Sequence, residues 1–147
     1  MNAAELETLL RRELSPVDHH GEIIEVIGDV HLKMRLPVLP NYMSKDMPPG
    51  SGQMMLSAPI MMGLADTAMY AAIHAFYGAA AIGEIVNFNI SFMRVAGAKD
   101  IVAEVKLLRK GRKLAFLETF LVAAGDTEAC AHVTATYSVW QPAQQVG

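Results

Sequence analysis

Cysteine is almost missing. Cys130 is the only one in 147 residues, so no intramolecular disulfide can form and a cysteine-based zinc site lacks its ligands. A reducing compartment, the cytoplasm, is the reading that follows. Basic residues are also scarce, 12 Lys and Arg against 15 Asp and Glu, for a formal net charge of −3. That balance speaks against nucleic acid as a partner, because phosphate contacts need a surplus of cations. The N-terminal stretch MNAAELETLLRREL lacks the apolar core of a signal peptide. No uninterrupted apolar run reaches membrane length either. Between Gln53 and Gly83 the only acidic or basic side chains are Asp66 and His74, yet Pro59, Gly63 and Gly78 further divide the stretch and its ends lack basic clusters. A helix buried in a folded core fits it better than a membrane span.

Apolar residues are plentiful, 52% of the chain, enough for one core over residues 1–147 as a single domain. Within an N-terminal segment of residues 1–15, Leu6, Leu9 and Leu10 repeat at helical spacing and predict a short surface helix over 3–13. From Gly21 to Pro37 the alternation of Ile24, Val26, Val30, Leu32, Met34 and Leu36 with polar neighbours predicts one half-buried strand, with Gly28 as a bulge. Residues 37–57 are rich in proline and glycine and read as a long loop, a length usually reserved for function. Residues 58–77, APIMMGLADTAMYAAIHAFY, form the one long helix candidate. Pro59 suits its first turn and Ser57 is a competent N-cap. Apolar residues surround this helix, so it should be wrapped on most sides.

Alternating segments then follow one another. Val86, Phe88, Ile90 and Phe92 make one apolar row; Ile101, Ala103, Val105 and Leu107 make the next. Gly111 marks a hairpin into RKLAFLETFLVAA, and Gly125-Asp126 turns into a last strand. There Ala129, Ala131, Val133, Ala135, Tyr137 and Val139 face the core, and Cys130 falls in the polar row. Residues 141–147 read as a polar, flexible tail. One antiparallel sheet around a single apolar helix is an α+β architecture.

Asp66 is the outlier. It stands two turns into an otherwise apolar helix, where an ionised carboxylate is costly unless paired or hydrated. It faces either a partner dipole at an interface or a site, and the adjoining loop favours the site. The helix N-terminus at Ser57-Ala58 is a second feature, since its amides and dipole favour an oxygen that gains charge. Eight residues of helix set Ala58 and Asp66 about 12 Å apart along the axis. They cannot both touch one carbonyl, but antiparallel helices in a twofold dimer bring Asp66 of one copy to Ala58 of the other.

Beyond these, Lys110, Arg112 and Lys113 gather at the hairpin, either as a solvated tip or as contacts for phosphates. Met54, Met55, Met61 and Met62 either fill the core or line an adaptable pocket. His74 lies too far along the helix to pair with Asp66 and reads as a core or surface histidine. His19, His20 and His31 flank a strand without matching carboxylates, so no metal site is expected.

The segment GLADTAMYAAI resembles the central helix of PaaI-like hotdog-fold thioesterases, in which an L-A-D-T-A pattern carries the catalytic Asp. NFNISFMR, KGRKLAFLE and ACAHVTATYSV resemble the strands that follow, and the likeness spans residues 20–140. It implies a hotdog fold, a homodimer or dimer of dimers with sites between subunits, and an acyl-CoA thioester as substrate with no separate cofactor. It assigns Asp66 as general base or nucleophile and the Ala58 amide as oxyanion donor, with Ser57 beside it orienting water or capping the helix. Ser51, Gly52, Thr67, Lys110, Arg112 and Lys113 are the candidate substrate contacts. The family's H-G-G is replaced here by Ser57-Ala58-Pro59, and Pro59 has no N–H to offer. Hydrolysis of an acyl- or aryl-CoA thioester is the leading reading, against a dimer that holds acyl-CoA without cleaving it, a hotdog dehydratase or hydratase, for which no suitable His lies near the helix start, and a purely structural dimer.

Overall fold

The computed structural model describes residues 1–15, 20–44 and 55–142. The chain opens with α1 (Ala3–Glu13), started by a capping box in which Asn2 and Glu5 exchange side-chain and backbone hydrogen bonds. Leu6, Leu9 and Leu10 are buried, each burial worth about 1.5–3 kcal/mol. Glu7 on the same helix accepts the Ile24 amide at 2.9 Å and ties α1 to the sheet.

The stretch expected as one strand is a hairpin, β1 (Ile23–Ile27) and β2 (His31–Leu36), paired antiparallel. Gly28 makes the turn, its amide donating to the His31 carbonyl at 2.7 Å, and the bulge lies earlier, between Ile24 and Val26. Leu32, Met34 and Leu36 are buried as the alternation predicts, whereas Val26 and Val30 are exposed beside the turn.

The loop that follows contains more order than its composition suggests. A 3-10 turn, Pro40–Tyr42, leads into β3 (Met43–Ser44), which pairs with β4 (Met55–Leu56) directly before α2 (Ala58–Tyr77). Then come β5 (Ile82–Phe92), β6 (Ile101–Lys110), β7 (Leu114–Ala123) and β8 (Ala131–Trp140). Six strands form one antiparallel sheet in the order β1-β2-β6-β7-β8-β5, and α2 packs against β2, β5, β6 and β7. This is the hotdog arrangement, a sheet curved round one long helix. Gly83 permits the close approach of β5 to that helix, since a Cβ there would meet Ile73 at 3.0 Å.

β6 as far as Leu107 and β8 keep the expected alternation, and β7 likewise buries every second side chain. β5 departs from it. A bulge between Ile85 and Asn87 breaks the parity, leaving Phe88 and Ile90 half-buried and Val86 and Phe92 exposed. Its outer edge is unpaired among the described residues. Cys130 also departs from expectation. It precedes β8, is buried, and its thiol donates to the Leu121 carbonyl at 3.1 Å, so it is a core residue and not part of a polar row. Among the described residues no helix is long and apolar enough to cross a membrane. Of the tail, residues 143–147 lie outside the described part, while Gln141 is anchored to α2 by a 2.7 Å bond to the Tyr77 carbonyl.

Candidate functional site

α2 runs uninterrupted for 20 residues, so its two ends lie about 30 Å apart. Its N-terminal end is set by the short ladder before it. The Leu56 amide donates to Ala96 and the Ser57 amide to Tyr42, which fixes the chain where it enters the helix. Ser57 occupies the N-cap position, but its side chain makes no capping bond, contrary to the capping role open to it in the sequence. The Ala58 N–H has no acceptor among the described residues, and Pro59 supplies none. Among the described residues the Ala58 amide and the one of Ile60 are therefore free at the positive end of the dipole.

A cleft of about 650 Å³ opens at this helix end. Ser57, Ala58 and Pro59 form one wall, and Met61, Met93 and Val95 contribute apolar surface. Arg94 also lines it and is ion-paired to Glu128. The methionine expectation holds for Met61, which is buried at the cleft, while Met54 lies outside the described residues.

Asp66 sits two turns along. The sequence expects a carboxylate in apolar surroundings; in the single chain Asp66 is exposed. The helix is wrapped on most sides, but one stripe at helical spacing stays open: Pro59, Met62, Gly63, Asp66 and Tyr70. Asp66 is the only charged member of that stripe. Its Oδ1 accepts a 2.6 Å hydrogen bond from the Tyr137 phenol on β8. No ion pair includes Asp66 among the described residues. Tyr137 reads as core in the sequence, and it is 1% exposed, but its hydroxyl is aimed at the candidate acid. Burial, and then the Asp66 charge, push the Tyr137 phenol far above its ordinary range, so it stays a donor at any ordinary pH.

The other candidates are dispersed. Thr67 is buried at 8% exposure. Ser51 and Gly52 lie outside the described residues. Lys110 is committed elsewhere: its Nζ donates 2.7 Å to the Phe76 carbonyl and sits 4.9 Å from the Tyr77 ring centre. That contact satisfies an orphan carbonyl at the negative end of α2, a structural duty. Arg112 and Lys113 are exposed at the same end, far from Ala58 within one chain. His74 is buried with both ring nitrogens unpartnered. His20 pairs with Glu22 and lies edge-on to Tyr42, His31 is exposed, and His19 lies outside the described residues.

A family profile described as the acyl-CoA thioesterase N-terminal domain matches residues 60–138. That range runs from the first turn of α2 nearly to the end of β8 and contains Asp66 and Tyr137. Among solved structures, the chain is similar to a putative thioesterase from Silicibacter sp. TM1040. The two are 27% identical, with a TM-score of 0.81 over 96% of this chain and 93% of the other. It shares its fold with thioesterase HI1161 from Haemophilus influenzae, at 18% identity and a TM-score of 0.77 over 96% and 92% of the two chains. Thioesterase superfamily member 2 from Mus musculus also shares the fold, at 18% identity and a TM-score of 0.73 over 92% of each. No curated protein sequence matches the chain.

Proposed function

Because the chain belongs to the acyl-CoA thioesterase N-terminal-domain family, we propose that it hydrolyses a small or medium acyl- or aryl-CoA thioester to free acid and CoA. The carrying observation is the exposed Asp66 carboxylate on the partly covered stripe of α2, one oxygen held by Tyr137 and the other without a partner among the described residues. The free oxygen is positioned to take a proton from water as the water oxygen bonds to the thioester carbon, or to attack that carbon directly, in which case water then opens the resulting mixed anhydride, frees the acid, restores Asp66 and supplies the proton. The carbonyl oxygen gains charge as this happens. The Ala58 amide, at the positive end of a helix, is the donor suited to it. When the carbon–sulfur bond breaks, the CoA thiolate leaves and receives the proton. CoA belongs to the substrate, and the steps written here call on no metal or other cofactor.

Ala58 and Asp66 serve one carbonyl only if they come from different copies, because eight helical residues separate them within a chain. We therefore take the working form as a homodimer, or a dimer of such dimers. The open α2 stripe and the exposed Ile85, Val86 and Phe92 of the edge strand β5 offer apolar area for that contact. The GLADTAMYAAI and KGRKLAFLE segments favour the PaaI-like branch. The single buried thiol suits the cytoplasm.

A panel of acyl-CoA thioesters assayed by free-thiol release tests the proposal, and turnover of at least one member is expected. The rival reading is a dimer that binds acyl-CoA without cleaving it. Pro59 favours it, since it removes the amide next to that of Ala58, and two adjacent donors would hold an oxyanion more firmly. A saturable thermal shift with acyl-CoA and no thiol release would select that rival.

A further inference from the structure

Resting on the hydrolase reading above, we infer that Tyr137 is the positioning residue for Asp66: its phenol fixes one carboxylate oxygen so that the other faces the thioester. The geometry is specific. Tyr137 Oη lies 2.6 Å from Asp66 Oδ1 and 3.5 Å from the Asp66 carbonyl, so it bridges the side chain and backbone of the same residue. A distance of 2.6 Å falls within the range of charge-assisted O–H···O⁻ bonds. The donor comes from outside the helix, 71 residues along the chain, on a strand that β5 and β7 pair on both sides. The ring is buried and cannot swing away without opening the core.

The consequence is asymmetric. An aspartate on an open helix face has free torsions and samples several rotamers. With Oδ1 engaged, those torsions are restrained and Oδ2 is left as the reactive oxygen. A phenol suits this duty better than a lysine or arginine. It donates without bringing a full positive charge, which would lower the basicity the carboxylate needs. Tyr137 does not itself reach the substrate. It acts through Asp66.

Tyr137→Phe keeps the ring and removes only the donor. The expected result is a kcat about 10- to 100-fold lower, the size of one hydrogen bond to a charged group, with KM within about twofold. A residue that merely fills space would alter melting temperature and leave kcat in place. Site-specific 3-fluorotyrosine at position 137 retains ring and donor, so kcat should stay near the parental value; it also serves if the Phe variant folds poorly. In an Asp66→Asn background, Tyr137→Phe should cause no further loss. An active parent, an inactive Asp66→Asn variant and an unchanged Tyr137→Phe variant would overturn this inference while leaving the hydrolase reading intact. A parent that cleaves no thioester overturns both.

Discussion

Lys110 Nζ donates 2.7 Å to the carbonyl of Phe76, and this bond closes the negative end of the helix that carries Asp66. Tyr77 Oη to Gly111 O and Gln141 Nε2 to Tyr77 O, both 2.7 Å, complete the same knot. Replacing Lys110 with Met should therefore cost stability and leave substrate affinity nearly untouched. The expected loss is about 1 kcal/mol, or roughly 2–4 °C in melting temperature for a domain of this size. Thermal melts beside a KM measurement check it.

Arg112 and Lys113 carry the opposite expectation. Both are exposed at the hairpin, with no ion pair among the described residues. Replacing both with Ala should change stability by less than about 0.5 kcal/mol. If the hairpin meets CoA phosphates, KM for acyl-CoA should rise several-fold and depend less steeply on salt than in the parent. A KM unchanged at low salt would remove the hairpin from the substrate site.

His74 gives a pH dependence. Its ring is buried edge-on to Tyr70, with centroids 4.8 Å apart, and neither nitrogen finds a well-formed hydrogen bond among the described residues. Burial lowers its pKa below the ordinary 6.5. The nearby Gly78 and Ala79 backbone and Glu13 of α1 oppose that shift, and Arg12 adds slightly to it. Between the lowered value and 6.5 the unfolded chain binds more protons than the folded one, so stability rises with pH across that window. The melting temperature should fall as pH drops below about 6.5, and His74→Leu should flatten that slope. Parallel melts at pH 5 and pH 7.5 check it.

A site shared between two copies, as proposed, makes a genetic prediction. Ala58→Pro removes the amide, and Asp66→Asn removes the acid, so each variant alone should be inactive. In a dimer that pairs one of each, one site keeps both groups. Random mixing yields half heterodimers with one of two sites intact, about a quarter of parental activity by twofold symmetry. Activity that stays absent after unfolding and refolding the two together would mean that each site draws on one chain.

The helix 58–77 and the position of Asp66 were legible because a long apolar run with a single acid has few other readings. So were β6 as far as Leu107, β7 and β8, where burial alternates between well-marked turns. Failures arose where backbone events left no mark in residue type. The Gly28 turn preserves the period of two across it, so a hairpin reads as one strand. The chain before β8 turns Cys130 inward although the count assigns it outward. The exposure of Asp66 was hidden because composition cannot say which stripe of an apolar helix stays uncovered. Tyr137 was invisible as a site residue: it sits in the apolar row, and only the folded sheet carries its hydroxyl to Asp66. An unpaired polar tip on an inward-facing aromatic was the one available signal.

The account rests most heavily on Asp66, and the direct measurement is free-thiol release by Asp66→Asn beside the parent on the best thioester of a panel. The substitution keeps the side chain's shape and its acceptor for Tyr137 while removing the charge and the basic oxygen. Loss of turnover by at least about a thousandfold, with the fold and assembly state preserved, is the result expected. Turnover at the parental rate would contradict the account.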